Sequence, residues 1–434
     1  MTPPVPSETA PAGTRRYAWS VVGMLWMVCC FNYADRQAIS VVFPALKQEF
    51  GFSSVQLGLI GSAFMWVYAA GAPLAGWAGD RMQRRHLILG GCLFWSLVTM
   101  ATAWCQKLWH FITVRALEGF GETFYFPASM SLVSDYHGRG TRSRAMAAHQ
   151  SSVYLGTIGG SWLGAVLAEH FGWRMGFYFF GGVGMVLALV MYAFLREPAR
   201  TREIPAATSP FAAAPTGDPV GAPPSFWSTL GFLVSHPAAR LLMLAFVGAN
   251  FVATIFMVWT PTFLMQKFNY KLGAAGLSAT VFIQLASAVS VPLAGWLADT
   301  LVRTRPGGRV LVQAAGLLVG AGFVALVGLT PNKLTLLLAM TGFGFCKGAY
   351  DSGIFASLYD VVPAGSRATA AGVMNTVGWT GGALGPLYAG WMIQHAGLGG
   401  EVANMSLAVS LGAVVYLGAA ALLFLAARAV VSRR

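Results

Sequence analysis

The chain has 434 residues, of which 56% are hydrophobic and only 10% are charged. Soluble domains carry about 25% charged residues, so this composition excludes an ordinary soluble globular protein. The formal net charge of +13 would suit a nucleic-acid partner, but the distribution of the basic residues along the chain argues against one.

Apolar runs long enough to cross a bilayer, which takes about 20 residues per helix, follow one another along the chain. They begin after a polar, proline-rich segment, residues 1–16, that we expect to be disordered. The runs predict an all-α membrane protein with twelve transmembrane helices: 17–46, 53–78, 86–105, 108–134, 145–167, 175–195, 241–264, 275–298, 309–329, 334–359, 368–392 and 403–427.

A polar stretch rich in Pro, Ala, Gly and Thr divides these helices into two sets of six, and its composition is typical of a flexible linker. The segment just before residue 237 is either an interfacial helix or a simple lead-in to the seventh span. We expect a six-helix bundle over 17–195, a cytoplasmic linker over 196–236, a second bundle over 237–427 and a cytoplasmic tail over 428–434.

Basic residues follow the topology of the predicted helices. Nineteen Lys and Arg residues lie in segments on the side of the two termini, against six on the opposite side. Since short cytoplasmic loops carry an excess of Lys and Arg, both termini are predicted to be cytoplasmic, as in a bacterial inner-membrane protein. The same bias explains the positive net charge without a nucleic-acid partner.

The two halves repeat one another. PLAGW occurs at 73–77 and again at 292–296, each time at the end of the second helix of a half and followed by an acid and basic residues. Recurrence at the same topological point indicates duplication, and duplicated halves around a midplane site are the construction of many secondary transporters.

Charged residues inside a bilayer helix cost about 3 kcal/mol each on insertion scales, so each is a candidate functional residue. In the fourth helix Arg115, Glu118 and Glu122 lie at i, i+3 and i+7, on one face, with Tyr125 beside it. We expect Glu118 to pair with Arg115, which leaves Glu122 as the better proton carrier. A static ion network that packs the helix remains the alternative.

The first helix contributes adjacent Asp35 and Arg36, preceded by Asn32 and Tyr33. An arginine in a cavity can grip a carboxylate with two hydrogen bonds, so Arg36 is the predicted anion contact, flanked by Asn32 and Tyr33. Asp35 is a second candidate for proton coupling, partnered with Arg115. A salt bridge from Arg36 to a helix 4 carboxylate is the alternative for that arginine.

Helix 10 places Lys347 and Asp351 at i and i+4, where they can pair with each other or contact the substrate. Further substrate-contact candidates are uncharged polar or aromatic residues, each of which could equally be an interhelical packing residue: Gln150, Tyr154, Asn250, Gln284, Asn375 and Trp379.

The loop between helices 2 and 3 resembles a motif of the major facilitator superfamily, through Gly76, Asp80, Arg81, Arg84 and Arg85. Gln83 replaces the second glycine of that motif. The resemblance implies a gate at the cytoplasmic ends of the helices, formed by these residues and by Asp299 and Arg303 of the second half, with Asp80 accepting from the N-terminus of helix 11.

Three runs, NYADRQAIS at 32–40, RALEGFGETFYFPAS at 115–129 and AAGVMNTVGWTGGALGP at 370–386, resemble the anion:cation symporter family. That resemblance implies proton coupling at Asp35 and Glu122 and a substrate contact at Arg36. The first two runs and the GDRMQRR loop are also similar to the spinster-like carriers of lipids and organic anions.

The expected function is therefore proton-coupled symport of a small organic anion, a sugar acid or other carboxylate, by an alternating-access monomer with no cofactor and no metal. The alternative is a spinster-like exporter of lysolipids, drugs or other amphipathic anions. No nucleotide-binding loop or catalytic constellation is recognisable in the sequence, which argues against a membrane-embedded enzyme or sensor.

Overall fold

The computed structural model describes residues 12–137, 141–197 and 225–431, without the side chains of 12–15, 76, 77, 79–81, 143, 364, 368 and 431. Within these residues the chain is helical: α1 Ala12–Val41, α2 Phe43–Phe50, α3 Ser54–Arg81, α4 Arg84–Thr102, α5 Leu108–Thr123, α6 Tyr125–Tyr136, α7 Arg142–Phe171, α8 Trp173–Phe194, α9 Phe226–Ser235, α10 Pro237–Phe268, α11 Leu272–Thr304, α12 Gly308–Leu329, α13 Lys333–Asp351, α14 Ile354–Val361, α15 Arg367–His395 and α16 Glu401–Val431.

Three of the predicted helices are interrupted by one or two residues. The first breaks at Val42, where Pro44 enters the first turn of α2, because proline has no N–H to continue the helical ladder. The fourth breaks at Phe124 between α5 and α6, and the tenth at Ser352–Gly353 between α13 and α14. Counting each interrupted pair as one span and leaving out α9 gives the twelve predicted segments.

Seven helices of the described chain, α1, α3, α8, α10, α11, α12 and α16, are each long and apolar enough by themselves to cross a membrane. The other five spans are interrupted, as α5–α6 and α13–α14 are, or carry polar, basic or glycine-rich stretches, as in α4, α7 and α15. Two of these less apolar spans carry five of the predicted charged residues: Arg115, Glu118 and Glu122 on α5, and Lys347 and Asp351 on α13.

The short helix α9 lies before the seventh span and ends at His236. It buries Thr229 and Leu233, while Trp227 is 75% exposed and Phe226 is 47% exposed. Exposed aromatic side chains are what an interfacial helix would present to the lipid surface, and this interpretation of α9 stays a prediction.

We call the end of the molecule where α1 begins and α16 ends the termini end, and the opposite end the distal end. The two halves meet through α3 on α15, α7 on α11 and α1 on α10. The contacts are close at the distal end, where a Cβ at Gly58 would lie 2.6 Å from the carbonyl oxygen of Pro386 and one at Gly276 would lie 2.4 Å from that of Ser161.

Polar contacts between the halves also gather at the distal end. Lys47 forms an ion pair with Glu401. The backbone N–H of Gly273, in the first turn of α11, donates to Glu169 Oε2 of α7 at 2.7 Å, where the positive end of the helix dipole favours a carboxylate. The distal end is thus closed by packing, an ion pair and a cross-half helix cap.

Helices α1 and α7 of the first half pack almost backbone to backbone. A Cβ at Gly156 would lie 2.3 Å from the carbonyl oxygen of Cys30, and one at Gly160 would lie 2.2 Å from the Cα of Ala34. Only glycine fits at these two positions without moving the helices apart.

At the termini end, the described ion pairs join helices of the same half. Arg84 at the start of α4 pairs with Asp135 of α6, and Arg309 at the start of α12 contacts Asp360 of α14 at 2.8 Å. Arg309 also contacts Asp299 at 2.8 Å. The two arginines occupy equivalent places in the repeat, so Arg309, and not the predicted gating residue Arg303, corresponds to Arg84.

The predicted gating residues do not form one common cluster among the described side chains. Gly76 lies within α3, with nothing more described of its surroundings, and the side chains of Asp80 and Arg81 lie outside the described residues. Arg85 donates to the carbonyl oxygen of Tyr192 at 2.6 Å, within the first half. Arg303 is exposed, and the partner of Asp299 is Arg309, because the longer loop after α11 carries the equivalent position six residues further along the chain.

Candidate functional site

A pocket lies between the two halves, at the level of the charged residues predicted from the sequence. Helices α1, α3 and α5 line it from the first half, and α10 and α15 line it from the second. The lining residues are Tyr33, Arg36, Gln37, Ile39, Ser40, Gly61, Phe64, Met65, Arg115, Met257, Val258 and Trp379.

Arg36 is buried, with 8% of its surface exposed, and its guanidinium contacts several neighbouring side chains. Its Nε forms an ion pair with Glu122 of α5, and its Nη2 donates to Asn32 Oδ1 at 3.1 Å, one turn earlier on α1. The guanidinium carbon lies 4.5 Å from the centre of the Tyr33 ring and 4.8 Å from that of Phe64. The predicted flanking of Arg36 by Asn32 and Tyr33 is therefore present.

Arg115 and Glu118 form the predicted pair on one face of α5, with Nη1 and Oε2 2.5 Å apart. Both residues are buried. The guanidinium carbon of Arg115 lies 5.0 Å from the centre of the Phe64 ring, so one phenyl ring of α3 contacts both arginines.

Glu122 and Asp35 have different partners in the structure from those that the sequence predicted. Glu122 is paired with Arg36, which was the alternative for that arginine. Asp35 is not paired with Arg115; the hydrogen bond described for it comes from Thr99 at 3.5 Å. Spacing along one helix cannot reveal a contact between α1 and α5. The sequence therefore predicted Glu122 to lack an arginine partner, whereas it is paired with Arg36.

The carboxylate oxygens of Asp35, Glu118 and Glu122 lie within 4.8 Å of one another. Among the described side chains, two guanidiniums, those of Arg36 and Arg115, face these three acids, so the cluster would carry one uncompensated negative charge if every acid were ionised. A buried, unpaired charge is costly. The arrangement therefore calls for a proton, or a cation, at or near Asp35.

Several polar atoms of this cluster lack a described partner although they are buried. They are Asn32 Nδ2, Asp35 Oδ1, Arg115 Nε, Glu118 Oε1 and Glu122 Oε1. Buried polar atoms are normally hydrogen-bonded, so both donors and acceptors of this site are available to water, a proton or a ligand.

Tyr125 lies elsewhere than predicted. Its hydroxyl donates to the carbonyl oxygen of Leu25 at 2.6 Å and lies 3.4 Å from His149 Nε2. The ring packs edge-on against Trp95. The break at Phe124 turns the residue away from the face of Glu122, so Tyr125 joins the core of the first half instead of the pocket.

Of the uncharged candidates, Trp379 lines the described pocket. Its ring lies 5.4 Å from that of Tyr68 across the two halves. The side-chain amide of Asn250 donates to the carbonyl oxygen of Phe246 in its own helix at 2.9 Å. The remaining candidates are exposed or half-buried and stand apart from the lining residues: Gln150, Tyr154, Gln284 and Asn375.

Lys347 and Asp351 form the predicted ion pair one turn apart on α13. Their side chains are 22% and 35% exposed, and neither lines the pocket. The structure thus contains the pair itself but does not bring it to Arg36.

Sequence reasoning missed most of the apolar pocket wall. Gln37 could have been found, because it adds a third polar side chain beside Asp35 and Arg36. Phe64, Met65 and Met257 look like any lipid-facing or packing residue in the sequence, and only their position between the halves marks them as part of the site.

Comparison with known proteins agrees with this fold. The chain is 27% identical over 435 residues to a D-galactonate transporter of Escherichia coli O6:H1, covering 95% of this chain and 97% of that protein. It is 28% identical over 388 residues to rice probable anion transporter 4, chloroplastic, covering 87% of this chain and 64% of the longer rice protein.

Among solved structures, a bacterial homolog of the human lysosomal transporter spinster, in an inward-facing and unoccupied conformation, superposes with a TM-score of 0.80. The superposition covers 99% of both chains at 21% identity, which shows a shared fold. The sequence profile of the Major Facilitator Superfamily matches residues 25–386 and 284–433. With its helical fold and internal charged cluster, the chain is an integral membrane transporter that belongs to the Major Facilitator Superfamily.

Proposed function

We propose that this protein carries a small organic anion across the membrane together with protons, by alternating access between its two halves. One observation supports this most directly: Arg36 shares its guanidinium with Glu122 at the edge of a pocket. The substrate anion and Glu122 would thus compete for the same cation.

The competition gives a route to coupling. When a substrate carboxylate binds Arg36, it displaces Glu122, which then becomes an unpaired buried acid. Since an unpaired buried charge is costly, Glu122 takes up a proton at that step. One anion and one proton enter together, so the net charge of the buried cluster does not change.

Asp35 has a complementary role. It is the acid without a described arginine partner, and it lies within 4.8 Å of Glu118 and Glu122. We assign to it the proton held when the pocket is empty, and to Arg115 with Glu118 the support of the cluster through their 2.5 Å pair.

Topology extends the proposal. The nineteen-to-six bias of basic residues supports a cytoplasmic location for the termini end; in that orientation the closed distal end would face outward and the pocket would open inward. We further propose a monomer in a bacterial inner membrane, with bundles over 17–195 and 237–427 joined by the linker 196–236. The names of the D-galactonate and anion transporter relatives support an anionic substrate.

Proteoliposomes containing a pH-sensitive dye would test the coupling. Addition of D-galactonate, or of another carboxylate from a panel, should acidify the lumen only when the protein is present. Glu122→Gln should reduce that signal to the level of protein-free liposomes, whereas Asp35→Asn, which mimics the protonated acid of the empty pocket, should keep it. Both variants should retain exchange of labelled substrate, which distinguishes lost coupling from misfolding.

Replacing sodium by choline separates protons from another cation at the three-acid cluster. Unchanged transport in choline supports protons as the coupling ion. Transport that needs sodium, or uptake with no proton movement, would contradict the proposal.

A further inference from the structure

The two walls of the pocket differ in chemistry. The first half contributes the two guanidiniums, of Arg36 and Arg115, and the polar side chains of Gln37 and Ser40. The second half contributes Met257, Val258 and Trp379. A ligand in this pocket therefore meets charge on one side and apolar surface on the other.

Thr254 and Asn250, two polar residues of the second half close to this wall, already have partners within that half, whereas the hydroxyls of Thr262 and Thr376, one turn from Val258 and Trp379, have no described partner. The hydroxyl of Thr254, one turn before Val258 on α10, lies 3.0 Å from the carbonyl oxygen of Asn250 and 2.8 Å from that of Gly382. The amide of Asn250 donates to its own helix. A ligand hydroxyl that faces Met257, Val258 and Trp379 themselves would thus find few partners, and a buried hydroxyl without a partner weakens binding.

Aromatic rings connect the charged wall to the apolar one. Phe64 contacts both guanidiniums and stacks on Tyr68 with ring centres 5.6 Å apart and planes 20° apart. Tyr68 in turn lies 5.4 Å from Trp379 of the second half. A flat ring carried by the ligand would extend this row, since aromatic pairs favour offset or edge contacts at 4.5–7 Å.

We infer that the preferred substrate is a small carboxylate with a flat, apolar body, whose head binds Arg36 and Arg115 and whose ring contacts Trp379, Met257 and Val258. This inference rests on the proposed function, because it assumes that an organic anion binds at Arg36. It assigns specificity to the second half of the molecule and argues against the polyhydroxylated sugar acids that the sequence suggested.

Equilibrium binding to the purified full-length chain, measured by calorimetry, tests the inference. The probes are benzoate, gluconate, benzyl alcohol and inorganic phosphate. Benzoate should bind at least tenfold more tightly than gluconate, because gluconate buries hydroxyl groups without partners. Benzyl alcohol lacks the charge, and phosphate lacks the apolar body, so both should bind more weakly than benzoate.

The outcomes separate the two proposals. If gluconate binds as tightly as benzoate or more tightly, the apolar-body inference is wrong while an organic-anion carrier stands. If phosphate binds best, or if neither carboxylate binds, the proposed function fails as well. Tight binding of benzyl alcohol would show that the arginines do not anchor the ligand.

Variants of the apolar wall sharpen the test. Val258→Thr adds a hydroxyl to the pocket at nearly constant volume, and Trp379→Ala removes the ring. Both should reduce the preference for benzoate over gluconate at least threefold. Val252→Thr is the matched control, because Val252 is equally buried on α10 but does not line the pocket. An unchanged preference in Val258→Thr and Trp379→Ala, or an equal change in the control, would overturn the inference.

Discussion

The two halves of the molecule share a framework but differ in their interiors. The first half buries five charged side chains, Asp35, Arg36, Arg115, Glu118 and Glu122, each at most 8% exposed. The described part of the second half has one pair at the equivalent depth, Lys347 and Asp351, and it is partly exposed. The two halves thus share their helical framework, while the described charged side chains that are buried lie in the first half.

The shared framework is visible in details as well as in helix order. Both fourth helices of the halves are interrupted just after a buried or half-buried acid, at Phe124 and at Ser352–Gly353. In both halves an arginine at the start of the third helix pairs with an acid at the end of the fourth, Arg84 with Asp135 and Arg309 with Asp360. The halves therefore diverged mainly around the pocket.

The largest expected effect is a loss of carboxylate affinity when a buried charged residue of the first half is changed. Arg36→Lys keeps the charge but removes the planar fork that can hold Glu122, Asn32 and a substrate carboxylate together. Loss of one or two charged hydrogen bonds should weaken carboxylate binding about 10- to 100-fold. Calorimetric titration of the purified protein with the carboxylate measures this affinity. Arg303→Lys, at an exposed position, is the control.

A smaller effect is expected from the pair in the second half. Lys347→Met alone leaves the Asp351 charge without its partner and should lower the melting temperature clearly. The double variant Lys347→Met, Asp351→Leu should recover most of that stability and change substrate affinity less than threefold. An affinity loss as large as that of Arg36→Lys would show that the second half also binds the anion.

The smallest expected effect lies outside both interiors. At the distal end Arg174 donates to both carboxylate oxygens of Glu49, at 2.7 and 3.2 Å, and this bonding holds the pKa of Glu49 below its usual range. The stabilisation is full above the unfolded pKa, about 4.3, and is lost as pH falls through the lower folded pKa. Because the pair is largely solvated, Glu49→Gln should cost only about 0.5 kcal/mol at neutral pH.

Thermal melting across pH checks that difference. The melting temperatures of Glu49→Gln and the unmodified chain should converge as the pH approaches 4 and falls further. A difference that persists at acid pH would assign the effect to lost packing against Trp173, whose Nε1 donates to Glu49 at 2.6 Å, and not to the charge.

Composition and residue spacing predict much of this molecule, for definite physical reasons. Long apolar runs predict the spans because the bilayer sets a length, and intramembrane charges stand out because they are costly. The pairs Arg115–Glu118 and Lys347–Asp351 were predictable, since helical spacing brings residues one turn apart together.

Contacts between helices were not predictable from spacing. The ion pair of Arg36 with Glu122 joins α1 to α5, and it reassigned the unpaired acid from Glu122 to Asp35. The break at Phe124 moved Tyr125 out of the site. The apolar wall around Met257 and Val258 consists of ordinary apolar residues in the sequence, so only the packing of one half on the other reveals it.

The backbone-to-backbone packing of α1 and α7 has a mechanical consequence. Because Gly156 and Gly160 leave no space for a side chain against Cys30 and Ala34, the two helices must move as one rigid lever. That lever carries Asp35 and Arg36 in its middle and the Glu169 contact to α11 at its distal end. A change of charge in the pocket would thus act, through the packed pair of helices, on the contact between Glu169 and Gly273 that helps to close the distal end.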